Sequence, residues 1–188
     1  MSEHKKYAVI FPGAGYTKDR PLLYYAGKLA ISYGYELVHI DFSDMNITKE
    51  KLLDEHKMAE ILAECLVRTH AALNGLDLMN ADRVVFVSKS VGTVVAGAYA
   101  KEHDIPAEQI FFTPLEALEQ FIKAGSGEAF FGDNDPYANP AAVQEICESY
   151  NIKYHRFKGA NHSLETGLPL DDIEIMADVM RVVDGLYR

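Results

Sequence analysis

The chain has only two cysteines, Cys65 and Cys147, in 188 residues, and both fall within helical patterns. That excludes a disulfide framework and is the usage expected of a reducing, cytoplasmic setting. Positive charge is in short supply, since 18 Lys and Arg against 28 Asp and Glu give a formal net charge of −10. So acidic a surface argues against nucleic acid or an anionic membrane as partner, and says little about small substrates. Long apolar runs are missing too. None approaches membrane-spanning length. Tyr7–Phe11, the first apolar run, is cut off by Pro12-Gly13 and is too short for the core of a signal peptide. Repeats, low-complexity tracts and linkers are absent, so one domain over residues 1–188 is expected. The histidines show neither H-x-x-x-H nor paired Cys/His spacing, so no metal centre is expected.

What is present is a regular alternation of short apolar runs with helical stripes. Tyr7–Phe11 reads as a first strand, followed by the small-residue loop Pro12-Gly13-Ala14-Gly15. Pro21 opens a helix through about Tyr33, and Glu36–Phe42 is a second strand, with Asp41 near its end. Thr48 is placed to cap one long helix to Leu73, with Leu52, Leu53, Met58, Ile61, Leu62, Cys65, Leu66 and Thr69 as its buried stripe. Val84–Ser88 is a third strand, followed by a helix from Val91 to about Glu102. Gln109–Pro114 and Glu128–Gly132 are the fourth and fifth strands. Asn139-Pro140 caps and opens a helix to about Tyr150. Ile152–Phe157 alternates, as suits a sheet edge, and the last helix covers roughly Asp171 to Leu186, its stripe including Ile173. Strand–helix alternation of this kind predicts a parallel α/β sheet with helices on both faces and right-handed crossovers. In such sheets the chemistry gathers beyond the C-terminal strand ends.

The polar residues that follow the strands are therefore the informative ones. Ser90 stands at the turn after the third strand, in Ser88-Lys89-Ser90-Val91-Gly92, one substitution from the G-x-S-x-G elbow pattern. Taken alone it reads equally well as a helix N-cap. Asp133 and Asp135 follow the fifth strand and by themselves would be turn formers. His162 follows the sixth, among small residues, and alone would be a surface loop histidine. Together they form a serine, a carboxylate and a histidine in the order Ser…Asp…His at one sheet edge. A serine hydroxyl needs an imidazole to take its proton as it attacks. The imidazole needs a carboxylate on its other nitrogen to fix the tautomer. The Val91 N–H, at a helix N-terminus, and an N–H of the Gly13-Ala14-Gly15 loop are candidate oxyanion donors.

Over nearly its whole length the chain resembles the small lidless α/β-hydrolases, of the dienelactone-hydrolase-like or serine-esterase sort. The resemblance is carried by Phe11-Pro12-Gly13-Ala14-Gly15, Ser88-Lys89-Ser90-Val91-Gly92, Gly132-Asp133-Asn134-Asp135 and Gly159-Ala160-Asn161-His162. It implies Ser90 as nucleophile, His162 as base and Asp135, at the last position of its G-x-x-D turn, as acid. It also implies oxyanion N–H groups from Ala14 and Val91, a sheet order of 2-1-3-4-5-6, no cofactor and a small acyl ester as substrate. The first elbow glycine is replaced here by Ser88, and the usual histidine before the loop glycine by Pro12. Only thirteen residues separate the fourth and fifth strands, where larger relatives insert a lid, so an open site is expected. Gly15, Tyr16, Asp19, Arg20, Lys89 and Leu115 are its expected neighbours; the Lys89 side chain either helps select an acidic substrate or faces solvent, and solvent is the expectation. Two other readings stand beside this one. One is an inactive binding scaffold of the same fold. The other is a nucleotide-binding protein, since Gly13-Ala14-Gly15 and Asp41 imitate a dinucleotide fingerprint; there the third glycine would fall at Lys18.

Overall fold

A computed structural model describes residues 5–188. Six strands, β1 (Lys6–Phe11), β2 (Glu36–His39), β3 (Arg83–Lys89), β4 (Glu108–Phe112), β5 (Gly127–Gly132) and β6 (Lys153–Phe157), form one sheet. Every pairing is parallel, as the alternation predicted, and the order is β2-β1-β3-β4-β5-β6, as the resemblance implied. The helices are α1 (Pro21–Ser32), α2 (Lys49–Leu52), α3 (Glu55–Leu73), α4 (Val91–Glu102), α5 (Pro140–Ser149) and α6 (Pro169–Tyr187), with a 3-10 turn at Glu116–Gln120.

Side chains alternate across the pleat, so each central strand feeds two cores. Tyr7, Val9 and Phe11 of β1 pack with Phe86, Phe111 and Phe131 against α3, α4 and α5. Ala8 and Ile10 pack with Val85, Val87, Ile110, Phe112 and Phe130 against α1 and α6. Burial on both faces is why the inner strands read as continuous apolar runs. The edge strand β6 alternates as expected, and it is pinned to β5 by Glu128, which meets His155 Nε2 at 2.8 Å and Lys153 Nζ at 3.3 Å. Cys65 and Cys147 are free thiols buried under α3 and α5, and burial pushes both up to about 12. None of the described helices is long and apolar enough to cross a membrane.

Three sequence expectations are corrected. The helix from Thr48 to Leu73 is two helices. Asp54 breaks it by accepting the Lys57 N–H at 3.0 Å, a side-chain cap that satisfies a helix start instead of continuing the previous turn. Leu53, at the break, is two-thirds exposed rather than part of the buried stripe. The last helix begins two residues early, at Pro169, and its Ile173 points outward. The second strand is four residues rather than seven; beyond it Ile40 still donates to Ile10 O at 3.0 Å, and Asp41 accepts from Ser43 N at 2.8 Å as a turn former.

At the C-terminal edge the connections after β5 and β6 are sewn together. Asp133 N donates to Phe157 O at 3.1 Å and Asn134 N to Ala160 O at 3.0 Å. A Cβ at Gly132 would lie 1.9 Å from Ala160 O, so only glycine lets the second loop cross the end of β5. Gly132→Ala should therefore destabilise the fold by on the order of 3 kcal/mol in urea unfolding. Gly185→Ala, on the exposed side of α6 with nothing within 4 Å, should stabilise it by roughly 0.5–1 kcal/mol. Equal midpoints for the two variants would contradict this account of the crossing.

Candidate active site

The residue after β3 is forced into an unusual backbone. Ser90 has φ 56° and ψ −125°, a conformation few non-glycine residues adopt. Its neighbours hold it there. Ser90 N donates to Phe112 O at 3.0 Å, while Ser90 O accepts both Thr93 N at 2.9 Å and Thr93 Oγ1 at 2.6 Å. Ser88, fully buried, donates its hydroxyl to Ile110 O at 3.0 Å, which is how a serine fits where the resembling family has glycine. The bend lifts the Ser90 hydroxyl clear of the helix. It makes no capping hydrogen bond to α4 and points across the sheet edge.

There it meets His162. Ser90 Oγ lies 2.8 Å from His162 Nε2, and His162 Nδ1 lies 2.7 Å from Asp135 Oδ2. With a carboxylate accepting at Nδ1, that nitrogen carries the ring hydrogen and Nε2 presents its lone pair to the serine hydroxyl. Asp135 is held in turn by the Tyr137 N–H, which donates to its Oδ1 at 2.8 Å, and the Tyr137 ring stacks on the imidazole with centroids 4.5 Å apart. Asp133 turns away and accepts from Gly159 N, tying the two loops. Asn161 shapes the His162 turn by accepting Ser163 N at 2.7 Å and Glu165 N at 3.2 Å. Burial lowers the His162 pKa below its ordinary 6.5; Asp135 opposes that shift and Lys89 adds to it.

The loop Pro12–Tyr16 closes the other side. Gly13 N donates to Tyr16 O at 3.0 Å and Tyr16 N to Gly13 O at 3.2 Å, leaving Ala14 and Gly15 at the tip. Tyr16 OH accepts Leu22 N at 3.1 Å, anchoring the loop to the start of α1. Val91 is the first residue of α4, where helix N–H groups have no intrahelical acceptor. Ala14, Gly15, Tyr16, Lys89, Ser90 and His162 all line one cleft of about 440 Å³, joined by Arg20, Ile47, Thr48, Lys49, Tyr137, Ser163 and Glu165. Asp19, which pairs with Lys18, does not line it, nor does Leu115, which is buried in the core near α5. The contribution from Ile47–Lys49 and Tyr137 was not visible in the sequence; the first depends on the connection after β2 folding back over the sheet edge, the second on the turn after β5.

The other correction concerns Lys89, which does not face solvent. Its residue is 2 % exposed. Period-two alternation carries the signal, since Lys89 falls on the same face of β3 as the buried Val85 and Val87. A side chain at Gly13 would come within 2.9 Å of Lys89 Cδ, so the lysine stem runs under the first loop. Its Nζ sits 4.9 Å from the centre of the Tyr16 ring. Of the other six histidines, His4 lies outside the described residues. His70 and His103 gather with Glu102, their ligand atoms within 4.8 Å, on the exposed surface at the far end of α4.

A six-stranded parallel sheet in this order, with a strained serine after β3 and a histidine and carboxylate after the last two strands, defines the α/β-hydrolase fold in its form without a lid. No family model matches the chain, and no curated protein does. Solved structures do. An α/β-superfamily protein from Xanthomonas campestris pv. campestris is 15% identical, with 96% of each chain covered and a TM-score of 0.66. A second Xanthomonas campestris protein, an α/β serine hydrolase without lid, is 14% identical over 94% of this chain and 82% of its own, with a TM-score of 0.58. Est1E from Butyrivibrio proteoclasticus, bound to ferulic acid, is 13% identical over 96% of this chain and 90% of its own, with a TM-score of 0.63. These likenesses establish the fold.

Burial drives the Lys89 amine down to about 7, from an ordinary 10.5, with Asp135 and Glu165 pulling the other way. Between those two values the unfolded chain holds the proton more readily than the native one, so this lysine costs stability most at pH 7 and below and least near pH 10.5. Lys89→Met should consequently raise the urea midpoint at pH 7, and its advantage over wild type should shrink as pH approaches 10. A variant less stable than wild type at pH 7 would mean that the amine is well solvated.

Proposed function

We propose that this protein is a serine hydrolase that cleaves small acyl esters through an acyl-enzyme on Ser90. The observation that carries the reading is the continuous chain from Ser90 Oγ to His162 Nε2 at 2.8 Å and from His162 Nδ1 to Asp135 Oδ2 at 2.7 Å. In the reaction, Ser90 Oγ attacks the ester carbonyl while its proton passes to Nε2. Asp135 keeps Nδ1 protonated and stabilises the imidazolium. The oxyanion is received by the N–H groups of Ala14 and Val91, each such donor being worth roughly 3–4 kcal/mol in the transition state. Collapse expels the alcohol, which takes the proton from Nε2 and leaves the acyl group on Ser90. A water then attacks, giving its proton to Nε2, and the acid is released as Ser90 regains its hydrogen. A cleft of about 440 Å³, with no lid over it, suits an ester of modest size, and the ferulic acid held by Est1E is of that size class. No cofactor enters these steps. Two buried, unpaired thiols suit a reducing compartment such as the cytoplasm.

Ser90→Ala should reduce hydrolysis of p-nitrophenyl acetate by at least about a thousandfold with an unchanged urea midpoint. Turnover near the wild-type rate would sink the assignment. A fluorophosphonate probe should label the wild type and spare this variant, which separates an active enzyme from a scaffold.

His162 must be neutral to accept the serine proton, and burial keeps it so down to a pH below 6.5. The kcat/KM for an uncharged ester should therefore stay level near neutrality and fall on acidification with a midpoint below 6.5. Asp135→Asn removes the group that opposes that shift, and should both slow the reaction and move the midpoint lower still. A profile flat from about pH 4 to 8 would remove His162 from the mechanism.

A further inference from the structure

The mechanism above makes no use of Lys89, although that residue lines the same cleft as Ser90. Among the described residues, no ion pair and no hydrogen bond holds Lys89 Nζ; its recorded contact is with the face of Tyr16. The cleft-facing charges around it explain why. Asp135 spends both oxygens, one on His162 and one on the Tyr137 N–H. Glu165 lies on the exposed rim, acting on Lys89 only through space. His162 is repelled by the same ammonium. The remaining rim charges are positive. Arg20 has no ion-pair partner among the described residues, and Lys49 lies 5.3 Å above the Tyr137 ring. Three cations against one exposed carboxylate line this cleft, in a chain whose net charge is −10.

Packing alone gives no reason for a charge at this position, since the lysine stem fills its slot under the first loop as an apolar chain would. An ammonium at the wall of a cleft gains little from an aromatic face compared with what an oxyanion would give it. We propose that Lys89 is an anion-binding residue, and that the substrates of this cleft are esters carrying a carboxylate on the acyl or the leaving group. This rests on Ser90 being the nucleophile of an esterase. One negative charge matches one buried positive charge, with Arg20 and Lys49 drawing the acid in from the rim. The lowered pKa of the amine fits an empty site, where the charged form lacks a partner; an arriving carboxylate favours that form and draws a proton on to the nitrogen.

The test pairs esters that differ in one charge. Monoethyl glutarate is compared with ethyl pentanoate for an acid on the acyl side, and 4-acetoxybutanoate with pentyl acetate for an acid on the leaving side. Proton release is followed in a pH-stat at pH 6.5. In the wild type the acidic ester of at least one pair should have the higher kcat/KM. In Lys89→Met the acidic-to-neutral ratio of that pair should fall at least tenfold. Lys101→Met, which removes one charge well away from the cleft, should leave the ratio alone. Calorimetry of the same acidic esters on Ser90→Ala protein reads binding without turnover, and adding Lys89→Met should weaken it at least tenfold. Ratios that stay within twofold of wild type in Lys89→Met, or binding equal with and without Lys89, would overturn the proposal. Absence of turnover on all four esters, with Lys89-dependent binding intact, would instead overturn the hydrolase reading and leave the anion site standing.

Discussion

Everything at the sheet edge depends on one residue being held where its backbone does not choose to be. A non-glycine residue at φ 56° costs on the order of 1–3 kcal/mol, and it persists only where its surroundings over-determine it. Here they do. The Ser90 peptide donates to β4, its carbonyl takes two bonds from Thr93, and α4 departs so close to β1 that a Cβ at Gly92 would lie 2.5 Å from the carbonyl oxygens of Phe11 and Pro12. That close approach brings the N-terminus of α4 and the Gly13–Tyr16 loop to the same spot. The strain, the helix N-terminus and the loop tip are thus one packing arrangement. A relaxed serine at this position would cap the helix and be unavailable to His162.

The other half of the site is held just as economically. One turn, Asp133 to Tyr137, supplies the clamp between loops, the carboxylate on Nδ1, the N–H that orients that carboxylate and the ring that covers the imidazole. Both strands that deliver it are secured at their C-terminal ends by backbone bonds from Asp133 and Asn134. His162 is then poised by opposing influences: removal from water lowers its pKa and Asp135 raises it.

Much of this was legible because it depends on position along the chain. The parallel sheet follows from alternation and crossover handedness, and its strand order from the resemblance carried by the four strand-end motifs. Ser90, the pair Asp133 and Asp135, and His162 stand out because each is polar and follows a strand; the resemblance is what singled out Asp135 of the pair. What stayed hidden depends on how loops pack on one another. The helix expected from Thr48 to Leu73 breaks because the Asp54 carboxylate satisfies the Lys57 N–H, and periodicity cannot weigh that local bond against another helical turn. Ile47, Thr48 and Lys49 reach the cleft because the segment after β2 folds over the edge, and Tyr137 because the turn after β5 carries it back over His162. Asp19 and Leu115 were placed near the site by their distance from the motifs in sequence, which is a poor guide to direction. Lys89 is the instructive miss. Strand periodicity put it inward, whereas the habits of its side chain put it outward, and the periodicity won because the first loop closes over the stem.

That outcome bears on what the cleft is for. Local rules are broken here in three places close together: positive φ at Ser90, positive φ at Thr113 with its buried hydroxyl unpartnered, and an unpaired ammonium at Lys89. Lys89 is the last residue of β3, and Ser90 and Thr113 follow the ends of β3 and β4. Departures that cost stability accumulate where geometry serves something other than the fold. For Ser90 the compensating use is plain, since the strained bend is what presents its hydroxyl to an imidazole. A buried cation in the adjacent residue, opening on to the same cleft, calls for a compensation of its own kind. Among the described residues no carboxylate pairs with it, and an acidic substrate, as proposed above, is a partner of that kind.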